Sequence, residues 1–460
     1  MANPVGPKAF PLTVVMALVC LCLSAKAQNP QNPRNPTPRL APEPQPSLTD
    51  TPLTLDQALR LATTQASTYR SALLNEASAS EDVKQARAAF LPKVSVPLSY
   101  IYTTPALGLP PGEPRFQSFI ANNAIGEYVA LLNVAGDFDV AGKLRATLAR
   151  NRALLAAAHA SSEIASRALR QAVTESYYNL SLSLAERRAA DENLAAAEEF
   201  ERITSLLLSG GEVAPVDLTR AQLQTLSRRD ELQKARATEQ IASASLRVLI
   251  GYDFDRSLTT TDLALTVPVD VELQDFRAAD VARRPEFTQL DQQLRAARQE
   301  MKIARADRLP SLSYSINGGF DTDSLRRPRL KQHTGVSAAI SVSIPIFDWG
   351  ASRSKEKQAR LRVEAAENEQ TLAQRGLTQE FYAAQATASS AAARIRSARE
   401  SVSKAQDNLA ASIARYRAGE AQIIEVTDAQ TTLVAQRSAL YQALFDYQLA
   451  LARLRLATGR

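Results

Sequence analysis

Two halves of this chain carry nearly the same text. Gly211-Glu212 recurs as Gly419-Glu420, Ala221-Gln222 as Ala429-Gln430, and Arg229, Leu232 and Ala235 as Arg437, Leu440 and Ala443, all 208 residues apart. Leu246-Arg247 matches Leu454-Arg455, and Gly251 matches Gly459. Phe138-Asp139 returns as Phe347-Asp348 at an offset of 209, and Leu91-Pro92 as Leu309-Pro310 at 218. Nine extra residues therefore lie between those landmarks in the first copy. Insertions collect in exposed loops, so that interval holds a surface tip. A tandem duplication of a roughly 200-residue unit limits the fold to two similar supersecondary units.

The N-terminus is of a different kind. Lys8, an apolar stretch from Phe10 to Leu23 and Ala25-Lys26-Ala27 form a charged region, an apolar core and a small-residue cleavage site. Residues 1–27 therefore read as a secretory signal peptide, too short for a confident span. Cys20 and Cys22 follow Val19 and Leu21, a poor context for lipid modification, and both leave with the leader. The expected mature chain has no cysteine, hence no disulfide and no thiolate metal site. Its net charge falls from +6 to +4 once Lys8 and Lys26 are removed. Arg and Glu are intermixed along the helical stretches, a pattern of solvated coiled-coil surface rather than a nucleic-acid footprint. Residues 28–52 are Pro-rich and poor in large apolar groups, which makes them an extended tether with too little to bury.

Each copy then runs through the same changes of period. Helix formers dominate from Thr54 to Phe90, and Pro92 stops the run. The second copy reads helical from near Phe276 to Arg308, ahead of Pro310. The period next falls to two. Leu312, Tyr314, Ile316, Gly318 and Phe320 oppose Ser311, Ser313, Ser315, Asn317 and Gly319. Val336 to Ile346 alternates the same way, as do Val94 to Tyr102 and Tyr128 to Val134 in the first copy. Such segments approach the ~10-residue length of membrane β-strands. A half-buried sheet in a soluble domain gives the same alternation. The small Ser, Asn and Gly face suits a wet lumen better.

Beyond Phe138-Asp139 and Phe347-Asp348, helical runs extend from about Gly142 to Ser209 and from about Ala351 to Ala418. Unbroken, each reaches on the order of 100 Å, wider than a compact domain. Glycines end both, and a second helix returns to Gly251 or Gly459. Leu440, Leu444, Tyr447, Leu451 and Leu454 mark a coiled-coil seam in the last one. Four strands cannot close a barrel, and a bilayer forbids open sheet edges. Identical subunits must complete the wall, with eight strands in a dimer or twelve in a trimer, and an open conduit favours the larger number.

The order of signal peptide, helix, Leu-Pro, two strands, Phe-Asp, long helix, glycine turn and helix, twice over, resembles the TolC-type outer-membrane efflux proteins. The resemblance covers the chain from about Leu53 onward. It implies a mainly α fold with a transmembrane β-barrel portion. Long antiparallel coiled-coil hairpins would form an α-helical barrel, and four strands per chain a shared twelve-stranded barrel in a homotrimer. It further implies a repeat over 53–251, a connector over 252–275 at the waist and a second repeat over 276–460. The implied function is the exit duct of a tripartite efflux pump or type I secretion system. The implied partners are outer-membrane lipid, a periplasmic adaptor (membrane fusion) protein and an inner-membrane transporter of RND, ABC or MFS type.

The resemblance also points to residues. Glu425 and Asp428 are three apart, hence on one helical face. At the family's corresponding places acidic residues face the axis, where rings of carboxylates form a periplasmic constriction. The first copy holds Asp217 and Arg220 there, so an Arg220 latch to Glu425 or Asp428 is expected. Gly210, Gly211 and Glu212, with Gly419 and Glu420, are the expected adaptor-docking tips, and equally read as plain helix caps.

No catalytic constellation stands beside these features. His159 and His333 lie in unrelated contexts, and no P-loop, HExxH or GxSxG occurs. The chain is expected to be no enzyme, with no cofactor and no metal. The alternatives are a soluble periplasmic coiled-coil adaptor or scaffold, which needs one hairpin rather than two, and a secreted filament, which needs no aliphatic belt.

Overall fold

Good helix formers fill the chain after Thr54, yet the first helix stops early. The computed structural model describes residues 52–65, 67–104, 125–254, 258–261, 263 and 273–459. The leader, the Pro-rich segment, Pro268 and the segment 105–124, which follows the first strand and holds the expected loop expansion, lie outside them. Helix α1 covers Leu55–Thr64 and α2 covers Thr68–Ala88. The single helix expected from Thr54 to Phe90 is thus two. Thr63 and Thr64 hydroxyls donate to the carbonyls of Arg60 and Leu61, meeting orphan groups at the end of α1. Gln65 is extended, and the Ser67 hydroxyl accepts from the Arg70 N–H to start α2. The second repeat breaks at the equivalent place. A 3₁₀ turn over Ala278–Arg283 precedes α5, Pro285–Ala306, with Pro285 at the first helical position where its missing N–H costs nothing.

Strands β1 (Lys93–Ser95) and β2 (Leu98–Tyr102) both pair with β3 (Gly126–Phe138). They are one strand interrupted at Val96-Pro97, because proline has no N–H for the ladder. Register is kept across the gap, with Val94 opposite Val134 and Leu98 opposite Ala130. Strand β4 (Ser311–Thr322) follows beside β3. Strand β5 (Thr334–Ser343) closes the antiparallel order after the short helix α6, Arg327–Gln332. The last strand ends at Ser343, before Pro345, rather than reaching Ile346.

Register puts one side-chain class on each face. Val94, Val134, Ile316 and Ala338 form one cross-strand row; Leu132, Gly318 and Val336 form the next. The opposite face carries Ser95, Asn133, Asn317 and Ser337 in a row, and the Asn133 amide donates to Asn317 Oδ1. The aliphatic face is uncovered: Ile340 is 73% exposed and Ile346 92%. Aromatic rings flank it at both ends. Tyr100 and Tyr128 stand 4.9 Å apart at one end, and Phe138 and Tyr314 4.9 Å apart at the other. Ten steps of β3 separate Tyr128 from Phe138, about 34 Å along the strand and about 24 Å once tilted by ~45°.

The repeated Phe-Asp motif turns sheet into helix. Asp139 accepts from the N–H groups of Leu144 and Arg145 at the start of α3, Lys143–Ser209. Asp348 accepts from Ser352 N–H at the start of α7, Ala351–Arg417. Each carboxylate meets orphan donors and the positive end of a helix dipole. Both long helices have 67 residues, about 100 Å. Helix α4 (Pro215–Ile250) returns along α3, and α8 (Ile423–Ala457) along α7.

Beside the sheet end of α3 and α7 lie α2 and α5, in the order α2, α3, α5, α7; toward the other end the order is α4, α3, α8, α7. The waist is where these layers meet. Leu53 pairs in parallel with Thr260, and Tyr177 donates to the Leu53 carbonyl at 2.8 Å while also bonding Thr261. Ser181 donates to Thr260 Oγ1 at 2.8 Å. Every residue from Leu180 to Ala185 is buried, so all faces of α3 are covered here. The described part of the connector therefore packs mid-length on α3, with Leu263 and Phe276 joining Leu182, Phe381 and Tyr447 in one core. Leu444, Tyr447, Leu451 and Leu454 are buried as the seam requires, with Leu440 partly so.

Candidate functional site at the hairpin tips

Both hairpins end in the same backbone device. Gly211 has φ 76° and Gly419 φ 73°, the left-handed region that L side chains avoid. Glu212 N–H donates to the Leu207 carbonyl at 2.9 Å, and Gly211 N–H to that of Leu208 at 3.0 Å. Glu420 and Gly419 repeat this on Arg415 and Tyr416 at 2.9 and 3.0 Å. These are Schellman caps, so the cap reading of the tip glycines holds. A Cβ added at Gly211 or Gly419 meets nothing within 4 Å. The conformation, not crowding, demands glycine there, and the space beside both tips is open.

Behind the turns the two tips share an apolar plug. Phe200 of α3 and Tyr416 of α7 have ring centroids 5.5 Å apart, with Ile423 and Val426 of α8 and Ala221 of α4 buried around them. Leu207 and Val213 close it from the first hairpin, Leu409 and Ile413 from the second. Burial of Val426 and Ala429 turns the other face of α8 outward, and that face carries Glu425, half-buried, and Asp428, exposed. Sequence spacing placed these two together, and they are.

Their electrostatic partners differ from expectation. Arg415 Nη1 lies 3.0 Å from Glu425 Oε2 and so spans the tip turn. Arg220 approaches Asp217 of its own helix at 3.9 Å, and among the described residues no ion pair joins it to Glu425 or Asp428. The latch as expected is therefore not formed in one subunit. Asp428 has no ion pair among the described residues. Hydrogen bonds between the hairpins occur higher up: Gln224 donates to Gln430, and Arg228, 8% exposed, donates to Thr431 while its other amine grips Glu231. Sequence reading missed Arg415, because its counterpart 208 residues earlier is Leu207 and the repeat gave no cue. It missed Arg228 because a buried cation on a polar helix has no periodic signature.

No described helix is long and apolar enough to cross a membrane. Among the described residues no group of three His, Cys, Asp or Glu is placed to hold a metal ion. His159 sits instead in a polar contact between α2 and α3, with Nδ1 2.9 Å from Glu76. His333 ends α6.

Comparison with known proteins agrees with this architecture. The family model described as "Outer membrane efflux protein" matches residues 58–252 and 280–460. The outer membrane efflux protein BepC of Brucella suis is 26% identical over 270 residues, 59% of this chain and 58% of that protein. Outer membrane protein TolC of Vibrio cholerae is 25% identical over 35% of this chain and 38% of its own length. The chain thus spans less than two thirds of the length of those curated relatives. Among solved structures, the CmeC outer membrane channel of Campylobacter jejuni superposes with a TM-score of 0.79 at 18% identity, covering 88% of this chain and 85% of that one. The outer membrane protein VceC of Vibrio cholerae gives 0.77 at 20%, covering 88% and 96%. With a duplicated helix–strand–helix order matched over most of both repeats, this chain belongs to the outer membrane efflux protein family, a family of non-catalytic proteins of the outer membrane that extend into the periplasm.

Proposed function

We propose that three copies of this chain form an outer-membrane channel-tunnel, the exit duct of a tripartite efflux pump or type I secretion system. One observation carries the reading. The sheet is aliphatic on one face, Ser- and Asn-lined on the other, and open at both edges, and the helical wall continuing from it is open at both edges too. Three four-strand units make a twelve-stranded barrel with no edge, and three four-helix layers make a twelve-helix tunnel below it. In this reading 1–27 is the cleaved leader, 28–52 a tether, 53–251 and 276–460 the two repeats and 252–275 the belt at the waist.

The tips then surround the periplasmic mouth. Asp428 and Glu425 face the axis as acidic rings, with Asp217 and Arg220 from the other hairpin beside them. Arg415 neutralises Glu425, which limits repulsion among the three copies. Gly210, Gly211 and Glu212, with Gly419 and Glu420, present bare backbone to the hairpins of a periplasmic adaptor. An inner-membrane transporter of RND, ABC or MFS type selects the cargo. A soluble coiled-coil scaffold offers no role for an uncovered aliphatic face.

Trp349 is the sole tryptophan and is 89% exposed, packed at 4.7 Å on Phe347 where sheet meets helix. Its φ of 55° is unusual outside glycine. In bilayers, lipids brominated near the headgroup should quench its emission more than lipids brominated at the chain ends. Absence of quenching by either lipid overturns the membrane reading.

A further inference from the structure

We infer that the turn between β4 and β5 is a docking surface for the phosphorylated sugar headgroup of the outer leaflet's glycolipid. The inference rests on the outer-membrane placement of the sheet and is otherwise independent of the proposed gate. The turn leaves the sheet at the end opposite the long helices, so it faces the cell exterior. Arg326, Arg327, Arg329 and Lys331 fall within six residues, and all four are exposed. Among the described residues their one ion-pair partner is Asp323, 3.3 Å from Arg329. Leu325, 56% exposed, stands directly beside them.

The turn is folded in advance of any ligand. Thr322 Oγ1 donates to the Ser324 carbonyl and accepts from Ser324 N–H, and Ser324 Oγ accepts from Arg326 N–H. Leu330 N–H and His333 N–H then bond the carbonyls of Arg326 and Arg329. Pro328 fixes the first turn of α6. Backbone order of this kind lowers the entropy lost when side chains close on an anion.

Height in the membrane identifies the occupant. Phe320 pairs with Ala130, two residues inward of the Tyr128–Thr322 pair that carries the outer aromatic row, and the first cation comes six residues after it. Aromatic rows mark the level of the interface, and phosphates lie just beyond it. Guanidinium groups bind phosphate oxygens in a forked, charge-assisted geometry. A phosphomonoester on a glycolipid carries nearly two negative charges, against one on a phosphodiester lipid. Four clustered cations match the former. The equivalent segment of the first repeat, 105–124, has one Arg and one Glu in sequence, so the cluster belongs to the second repeat alone.

The test uses the full-length mature protein, purified in detergent. Binding is titrated with lipid A, with enzymatically dephosphorylated lipid A and with phosphatidylglycerol, for wild type, R326Q/R327Q/R329Q/K331Q and D323N. Wild type should bind lipid A about tenfold or more tightly than the other two lipids, a difference of one decade in Kd. The fourfold variant should lose that preference, and D323N should strengthen it by removing the competing carboxylate. Sedimentation of each variant with reconstituted bilayers checks that the membrane reading itself survives. Equal binding of lipid A and its dephosphorylated form, or of wild type and the fourfold variant, overturns the proposal. So does equal binding of phosphatidylglycerol, which marks mere attraction to anionic surfaces. An altered anion-to-cation permeability with unchanged lipid A affinity also overturns it, and assigns the charges to the mouth of the duct.

Discussion

On the proposed reading, single side chains at the tips decide how the mouth is held. Arg415 reaches Glu425 across the turn at 3.0 Å, whereas Arg220 stands 3.9 Å from Asp217 on an exposed face. Exposed pairs contribute about 0–1 kcal/mol each, so neither governs folding. Their placement matters more. In the proposed trimer, removing the Arg415 charge in R415Q would leave three Glu425 carboxylates beside three of Asp428, and like charges at short range disfavour a narrow mouth. Basal conductance in planar bilayers should rise severalfold for R415Q and hardly change for R220Q. A reversed order would return the latch to Arg220. The glycines act differently. G419A puts a Cβ at φ 73° without a steric clash, so it should cost about 1 kcal/mol, read as faster amide exchange in the last turn of α7 and nowhere else. Both tip glycines were legible because the turn Gly211-Glu212 recurs as Gly419-Glu420, whereas the acids Glu425 and Asp428 came from the family resemblance, their duplicate positions being Asp217 and Arg220. Arg415 was not, since its duplicate position is a leucine.

Elements show where composition misleads. A run of good helix formers hid the break between α1 and α2, because the residues that cause it are ordinary Thr and Ser whose hydroxyls compete for backbone groups. In the second repeat the run read as helical from near Phe276 likewise starts as an α-helix only at Pro285, after a 3₁₀ turn. Just before Pro285, Arg284 is 4% exposed and bonds Glu286 at 2.7 Å and Glu380 at 2.6 Å, tying the start of α5 to α7. Burial opposes ionisation of Glu286, yet the Arg284 guanidinium holds its carboxyl below the ordinary range. Removing one partner of such a cluster typically costs ~3 kcal/mol or more. R284A should therefore open the waist to protease at Arg or Lys sites of α5 while leaving the tips protected. Uniform cleavage along the chain would argue against a local role.

Between α2 and α3, His159 and Glu76 make a titratable tie. The Ser162 hydroxyl first, then His159, lowers the Glu76 pKa, and the bond to Glu76 raises that of His159. A raised histidine pKa stabilises the fold fully below the free imidazole value of 6.5 and loses this as pH rises through the folded value. The lowered Glu76 pKa contributes above 4.5 and is lost as pH falls through its folded value. Protection of α2 amides should accordingly decline as pH climbs from about 6 to 8. E76Q should flatten that profile. An unchanged profile in E76Q would assign the pH dependence elsewhere.

At the scale of the whole molecule, the chain is a wall with two unfinished sides. Periodicity gave both the sheet's faces and the length of the helices, since period-two alternation and a 67-residue run leave few packings open. It did not give the lateral order of helices, which depends on how α2 with α5, and α4 with α8, share the two long helices across the waist. That order places α4 at one margin and α7 at the other. Their outer faces are apolar where solvent would favour charge: Leu223, Leu226, Ile241 and Val248 on α4 are each more than half exposed, as are Leu361, Leu372 and Tyr382 on α7. Burying a leucine-sized side chain contributes roughly 1.5–3 kcal/mol, and the proposed trimer would bury three copies of this margin. A charge placed there must be desolvated at every interface. L226E/I241E should then fold as a monomer with native helix content, fail to give the oligomer in cross-linking and sedimentation, and lose conductance. If the double variant still assembles and conducts, the α4 margin is not the seam, and closure of the duct must rest on the strand edges alone.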